Sequence, residues 1–259
     1  MASDAFTEAS LCTALGSRPF RFERQTSSTN DLAREWALRG APTGSVVIAE
    51  EQLAGRGRLG RSWVAPPNAA ILMSVILRPR IRSERIGRVM LAGAVAVAET
   101  LSTFVRESGA VVRLKWPNDV LLNGRKVAGI LAEVAWENET PAAVILGIGL
   151  NVRVDFRASP LADRAISLES GANKAIDRLA LLASLLQRID YWSARLGDPA
   201  LHRAWVERLD TLGRAITVQG LKGELHGLAT GVDEDGALLL KTADGTTHTI
   251  RAGDVTVLD

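Results

Sequence analysis

Few residues of this sequence can form covalent or metal cross-links. Cys12 is the only cysteine, and the three histidines, His202, His226 and His248, lie far from it along the chain. A single thiol excludes an internal disulfide framework, and the separation argues against a structural zinc site. The cytoplasm is therefore the expected compartment.

The sequence also lacks a long apolar run. The longest one, VMLAGAVAVA at residues 89–98, is about half as long as a membrane-spanning helix needs to be. The N-terminal region has no apolar segment of the kind found in signal peptides. We therefore expect neither export nor a membrane-spanning segment.

A large net charge is absent as well. The 31 lysines and arginines nearly balance the 29 aspartates and glutamates, which leaves a formal charge of +2. Any attraction for phosphate groups must then come from local clusters of basic residues and not from the field of the whole protein. This balance disfavours a DNA-binding function.

The length of 259 residues is enough for one large domain and one small one. Strand and helix patterns alternate as far as Leu212-Gly213, and only short strand patterns follow, with turns at Asp235-Gly236 and Asp244-Gly245. We predict an α+β fold. Residues 1–212 would form a mixed β-sheet flanked by helices, and residues 213–259 a small β-barrel.

Hydrophobic periodicity predicts the elements of the larger domain. Strands are expected at 18–25, 44–51, 69–77, 111–116, 119–137 and 142–152, and the fifth of them folds on an Asn123-Gly124 hairpin turn. Helices are expected at 28–40, at 84–107 and as a pair within 174–212. Ser28 or Thr29 would cap the first helix, and Gly40 would end it.

One segment, AGRGRLGRSW at residues 54–63, combines glycines with arginines, and we call it the arginine loop. It matches the glycine pattern of dinucleotide-binding proteins, and it also matches a P-loop with Arg61 at the lysine position. Both motifs require a helix after the last glycine, whereas Pro66 and Pro67 forbid a helix here. The sequence therefore predicts a flexible loop between two strands.

This loop has the composition of an anion-binding segment. Arg56, Arg58 and Arg61 supply positive charge, and the glycines allow the backbone to approach an anionic ligand closely. The alternative is a solvated basic loop beside Glu50 and Glu51. The loop alone does not decide between the two interpretations.

Five short segments follow one another along the chain: STN at 28–30, EEQLAGRGRLGRSW at 50–63, KWPNDV at 115–120, GRKVAGIL at 124–131 and GIGLNV at 147–152. This series resembles the biotin protein ligases, which attach biotin to a lysine of a carboxylase carrier domain. The family ends in a small SH3-like β domain, and the tail of this sequence is similar to it. Two features depart from the family: Leu53 replaces a usual small polar residue, and PPNAA at 66–70 lacks a usual glycine.

The resemblance implies a reaction in two steps. Biotin and ATP first form biotinyl-5'-AMP with the help of Mg²⁺ and release pyrophosphate. The lysine of a biotin carboxyl carrier protein or domain, from acetyl-CoA carboxylase or a related enzyme, then takes up the biotin. Such a reaction needs no enzyme nucleophile, because it depends on positioning and charge neutralisation.

The resemblance also implies which residues form the site. The residues expected to contact biotin or the nucleotide are Ser28, Thr29, Asn30, Gln52, Gly55, Arg56, Gly57, Arg58, Arg61, Trp63, Asn118, Lys126, Gly129 and Asn151. The residues with expected catalytic roles are Arg58, Lys115, Asp119 and Lys126.

Several of these residues also have a plain structural interpretation. Residues 28–30 would serve as a helix N-cap, and Trp63 as a core side chain instead of a wall near the adenine. Lys126 would be a solvated hairpin lysine instead of a bridge between the biotin carboxylate and the α-phosphate. Asn151 would be a turn residue, and Asp119 could serve either the acceptor lysine or magnesium.

Two other functions are compatible with these features. The first is a lipoate or octanoate ligase built on the same catalytic fold, against which the GRGRLGR sequence favours the biotin branch. The second is a nucleic-acid-binding regulator. Only 26 residues precede Ser27, and a domain needs about 50 or more, so we expect the monofunctional form of the ligase without an N-terminal DNA-binding domain or specific DNA binding. Either a monomer or a homodimer is compatible with the sequence.

Overall fold

The fold is described by a computed structural model that covers residues 5–220 and 223–258. Seven strands form a mixed sheet in the order β1-β2-β3-β7-β6-β5-β4, in which β1 and β2 are parallel and the other neighbours are antiparallel. The strands are β1 (Phe20–Thr26), β2 (Val46–Gln52), β3 (Ala70–Leu77), β4 (Val112–Lys115), β5 (Asp119–Leu122), β6 (Arg125–Glu137) and β7 (Thr140–Asn151). All seven agree with the sequence-based prediction, including the hairpin turn, where Asn123 and Gly124 both have positive φ.

Helices flank this sheet. They are α1 (Glu8–Leu15), α2 (Thr29–Leu38), α3 (Arg88–Phe104), α4 (Leu168–Ala172), α5 (Arg178–Ser193) and α6 (Pro199–Val206). The helix expected at 84–107 is shorter, because separate 3-10 turns at Ser83–Arg85 and Arg106–Ser108 flank α3. The short helices α1 and α4 were not predicted.

The two faces of the sheet are covered by different helices. Val46 and Ile48 of β2 belong to the large core cluster that includes α3, α5 and α6. Val47, between them, packs with Ala33 and Ala37 of α2. Because successive strand residues point to opposite faces, β2 is buried on both sides, which explains its continuous apolar sequence.

The last strands form a second, five-stranded antiparallel sheet in the order β11-β10-β9-β8-β12. They are β8 (Ala215–Gly220), β9 (Gly223–Val232), β10 (Leu238–Lys241), β11 (Thr247–Ile250) and β12 (Asp254–Val257). The predicted turns are present, with positive φ at Gly236 and Gly245. The α+β class is therefore confirmed, and no helix in the described part of the chain is long and apolar enough to cross a membrane.

The turn between β9 and β10 packs against the larger domain. Trp116 Nε1 donates a hydrogen bond to the Gly236 carbonyl at 2.9 Å. Arg88, which is 3% exposed, donates to the Glu234 carbonyl at 2.8 Å. The C-terminal sheet thus restrains the KWPND segment through its contact with Trp116.

Candidate functional site

The arginine loop connects β2 to β3, as the two prolines predicted. Its two ends are joined by a hydrogen bond from Trp63 N to the Gly55 carbonyl at 2.8 Å, and Gly57 N donates to the Arg61 carbonyl at 2.7 Å. A Cβ at Gly55 would lie 2.3 Å from the Trp63 carbonyl oxygen. Only glycine allows the loop to close on itself at this point.

The ring of Trp63 packs on the sheet above two glycines, Gly129 and Gly149, which we call the glycine floor. Gly129 of β6 and Gly149 of β7 are paired across the sheet. A Cβ at Gly149 would lie 2.4 Å from Trp63 Cε2, and one at Gly129 would lie 3.0 Å from Cζ3. The ring also packs against an apolar cluster that includes Ala69 and Val154. The indole Nε1 is buried without a hydrogen-bond acceptor among the described residues.

Three basic side chains interact with the charge of one carboxylate, Asp119, and we call them the cation cluster: Arg58, Lys115 and Lys126. Lys126 Nζ lies 2.6 Å from Asp119 Oδ1. Lys115 is opposite Asp119 in the β4–β5 pairing, and the charge of Asp119 also acts on Arg58. One negative charge does not balance three positive ones. The cluster therefore has the excess positive charge that an anionic ligand requires.

Burial makes this excess charge costly in the absence of a ligand. It lowers the pKa of Lys115, an effect that Asp119 opposes and Lys126 adds to. Burial likewise lowers the pKa of Arg58, where Asp119 again opposes the shift. Desolvated cations interact strongly with anions, so phosphate or carboxylate oxygens would be favoured here.

A second set of side chains, Thr29, Asn30, Gln52 and Ser74, forms a hydrogen-bonded group that we call the pocket network. Thr29 donates to Gln52 Oε1 from its backbone N at 2.8 Å and from its hydroxyl at 3.0 Å. Ser74 Oγ lies 2.6 Å from Asn30 Oδ1 and 2.8 Å from Thr29 Oγ1. The network connects the start of α2 to β2 and β3.

The prediction that Ser28 or Thr29 caps α2 was correct in the position of the N-cap and wrong about the side-chain hydrogen bond. Ser28 is the N-cap residue of α2, yet its side chain makes no capping hydrogen bond. Ser28 is 2% exposed, and the backbone N of Thr29 donates to Gln52 instead. The long-range partner from β2 thus replaces a local cap.

The two outer arginines of the arginine loop have acidic partners. Arg56 Nη2 lies 2.7 Å from Asp31 Oδ1 and 3.2 Å from Glu133 Oε2. Arg61 contacts Asp254 of β12 in the C-terminal sheet. The charge of Arg61 nevertheless acts on Arg58 and Lys115 of the cation cluster. Phosphate contacts of Arg56 and Arg61 remain predictions.

Two asparagines of the predicted site are held by β-structure. Asn118 Nδ2 donates to the Ile130 carbonyl at 2.8 Å, and Ile130 N donates to the Asn118 carbonyl at 2.9 Å. These bonds tie the KWPND turn to β6. Asn151 is 4% exposed at the end of β7, where it pairs with Ala70.

The structure thus brings the motifs together and leaves the histidines outside. His202 Nε2, for example, lies 2.9 Å from the Asp233 carbonyl oxygen. Sequence reasoning missed Ser74, Glu133 and Asp254. Ser74 had a signal, because it is the one hydroxyl in the otherwise apolar strand β3. No group of three or more acidic, histidine or cysteine side chains suited to a metal occurs in residues 5–220 or 223–258.

Comparison with known proteins identifies what this arrangement resembles. The biotin/lipoate A/B protein ligase family model matches residues 22–151, and the biotin protein ligase C terminal domain model matches residues 211–258. The C-terminal sheet is accordingly the SH3-like domain of the prediction.

Individual relatives agree. The chain is 36% identical over 226 residues to the bifunctional ligase/repressor BirA of Bacillus subtilis. The aligned region covers 85% of this chain and 68% of the relative. The chain is 38% identical over 239 residues to the biotin--[acetyl-CoA-carboxylase] ligase of Mycobacterium tuberculosis, with 89% and 86% covered. The structure of an Aquifex aeolicus biotin protein ligase in complex with biotin and ATP aligns with a TM-score of 0.77 at 26% identity, covering 93% of this chain and 98% of that one.

Proposed function

The chain belongs to the biotin/lipoate A/B protein ligase family, and from this we infer that it is an ATP-dependent biotin protein ligase. It joins the carboxylate of biotin to the α-phosphate of ATP, releases pyrophosphate and then transfers biotin to a lysine of a carboxylase carrier domain. The observation that carries the proposal is the cation cluster beside the pocket network. The cation cluster suits the biotin carboxylate and the α-phosphate of ATP, which are two anions that must be brought together. The pocket network suits a small polar group such as the ureido group of biotin.

The first half-reaction places two anions in contact. Lys126, whose side chain is 34% exposed, supplies an ammonium between the biotin carboxylate and the α-phosphate. Lys115 and Arg58 neutralise the remaining phosphate charge, which grows as the new bond forms. The short distance from Lys126 to Asp119 keeps the ammonium in place before the substrates arrive.

The pocket network would hold the ureido group of biotin. That group offers both N–H donors and a carbonyl acceptor, and the network offers hydroxyl, amide and backbone groups of Thr29, Asn30 and Gln52. The apolar part of biotin would pack against Trp63, whose ring covers Gly129 and Gly149.

Magnesium fits this site through one protein carboxylate. Mg²⁺ in nucleotide sites is commonly held by one or two carboxylates together with substrate phosphate oxygens. Asp119 is the carboxylate inside the cation cluster, and we assign it this role. Because three cations already outweigh its charge, the substrate phosphate oxygens would supply most of the negative charge that holds the ion. When bound, the ion supplies further neutralisation of the phosphate charge.

The second half-reaction needs no protein nucleophile. The acceptor lysine attacks the biotinyl carbonyl, and AMP leaves with its phosphate still surrounded by the cation cluster. The chemistry of the leaving group explains why the histidines can lie elsewhere. The acceptor is a biotin carrier domain of acetyl-CoA carboxylase or a related enzyme, in line with the name of the Mycobacterium tuberculosis relative.

A pyrophosphate-release assay tests this function. The purified protein is incubated with ATP, magnesium and one of three acids: biotin, lipoate or octanoate. With biotin, we expect pyrophosphate release above the rate measured without any acid. With lipoate or octanoate, we expect release to stay at that background rate. Release with lipoate or octanoate but not with biotin would place the protein in the other branch of its family.

A further inference from the structure

One glutamate outside the predicted site has three partners from two other elements. Glu133 lies in β6, and its side chain is 26% exposed. Its Oε2 accepts from Asn30 Nδ2 of α2 at 2.6 Å and from Arg56 of the arginine loop at 3.2 Å. Arg34 Nη2 of α2 also lies 3.2 Å from it. A single carboxylate oxygen thus joins the pocket network to the arginine loop.

The contact with Asn30 fixes the orientation of its amide. Asn30 is 4% exposed. Its Oδ1 faces Ser74 Oγ at 2.6 Å, and a Cβ at Gly147 would lie only 2.3 Å from the same oxygen. Because a carboxylate can only accept, the Asn30 atom that faces Glu133 must be the Nδ2 donor. A hydrogen bond to a charged acceptor is stronger than one between neutral groups, so Glu133 is the main restraint on this amide.

The contact with Arg56 fixes the start of the arginine loop. Arg56 lies between Glu133 at 3.2 Å and Asp31 at 2.7 Å. Arg34 approaches the same two carboxylates, at 3.2 Å from each. Two acidic and two basic side chains therefore form a closed group, and such networks restrain side chains better than isolated surface pairs.

We propose that Glu133 is a positioning residue for biotin, which orients Asn30 in the pocket and, through Arg56, anchors the arginine loop over it. The proposal rests on the proposed biotin ligase function. Glu133 touches neither biotin nor ATP in this account. Glu133 affects the reaction indirectly, because it holds Asn30 in the pocket and Arg56 in the arginine loop.

Three substitutions separate these two connections. Glu133→Ala removes both, Glu133→Gln keeps an oxygen acceptor for Asn30 but removes the charge that holds Arg56, and Asp31→Asn weakens only the contacts of Arg56 and Arg34. Glu137→Gln, at an exposed position of the same strand, is the matched control. The melting temperature of each variant verifies that it is folded.

The first readout is the KM for each substrate in the pyrophosphate assay, run with a carrier domain so that the enzyme turns over. Loss of one charge-assisted hydrogen bond in Glu133→Ala should raise the KM for biotin by about tenfold. The increase should be larger than that in the KM for ATP, and smaller in Glu133→Gln and Asp31→Asn. Equal increases for biotin and ATP, or values like those of Glu137→Gln, would overturn the proposal.

The second readout is tryptic cleavage of the arginine loop in the free protein. All three variants at positions 133 and 31 should be cut faster than the wild type, because an exposed loop that loses its anchor opens more often, and Glu137→Gln should be cut at the wild-type rate. Unchanged cutting of Glu133→Ala would refute the anchoring. This readout needs no turnover, so a wild-type protein that releases no pyrophosphate would refute the ligase function and leave the anchoring testable.

Discussion

Replacing Lys126 by methionine removes one charge from the cation cluster and keeps a side chain of similar length. Lys126 Nζ lies 2.6 Å from Asp119 and 5.5 Å from the centre of the Trp63 ring. In the proposed mechanism this ammonium neutralises charge as the biotin carboxylate meets the α-phosphate. Its loss should slow adenylate formation by roughly 10² to 10³, or about 3 to 4 kcal/mol, as for other preorganised donors.

Folding should be little affected by the same substitution. The two side chains of the Lys126–Asp119 pair are 34% and 23% exposed, and a partly solvated ion pair contributes at most about 1 kcal/mol. Methionine keeps the apolar packing of the lysine stem. The melting temperature should therefore fall by only a few degrees, as about 1 kcal/mol does in a domain of this size.

Single-turnover kinetics of each half-reaction test whether Lys126 acts mainly in adenylate formation. Adenylate formation is followed with biotin and ATP, and transfer is followed with pre-made biotinyl-5'-AMP and a carrier domain. Transfer should be slowed less, because the two anions are already joined. Lys174→Met, which removes a surface lysine paired with Glu107 at 3.1 Å, is the control. Equal losses in both steps would refute the reasoning, and so would no loss in either.

Three further outcomes are expected. Arg178→Met should lower the free energy of unfolding by about 3 to 5 kcal/mol in denaturant titration, because it leaves Glu50 buried without the guanidinium that contacts it at 2.8 and 2.9 Å; a loss below about 1 kcal/mol would contradict this. Gly149→Val should displace Trp63, since even a Cβ would lie 2.4 Å from its ring; a red-shifted tryptophan emission and a raised KM for biotin are expected, and an unchanged spectrum would count against the glycine floor. Biotin and ATP together should slow tryptic cleavage of the arginine loop, because bound ligands tie down mobile loops; equal cutting with and without them would mean that the loop does not hold the substrates.

Local patterns were sufficient for most of the fold. The Asn123-Gly124 turn and the apolar strand β3 have strong short-range signals, and both are where the sequence predicted them. Helix α4 has only five residues, and α1 buries Leu11 alone. Neither helix has enough of a periodic apolar face to be recognised from sequence.

The site was predictable only as far as its motifs reach. The motifs indicated the arginines and lysines, and the structure brings Arg58, Lys115 and Lys126 around Asp119. The partners of the outer arginines are distant in sequence: Arg56 meets Glu133, and Arg61 meets a residue of the C-terminal sheet. Such pairs depend on tertiary packing, and no spacing rule in a single sequence reveals them.

Capture of the acyl-adenylate is the most direct test of the central claim. The protein is mixed with biotin, magnesium and ATP labelled at the α-phosphate, without an acceptor, and then filtered rapidly. We predict that the label stays with the protein as non-covalent biotinyl-5'-AMP, and that adding a carrier domain converts it to AMP while one lysine of the carrier gains biotin. Label attached covalently to the protein, or retained equally without biotin, would contradict the account.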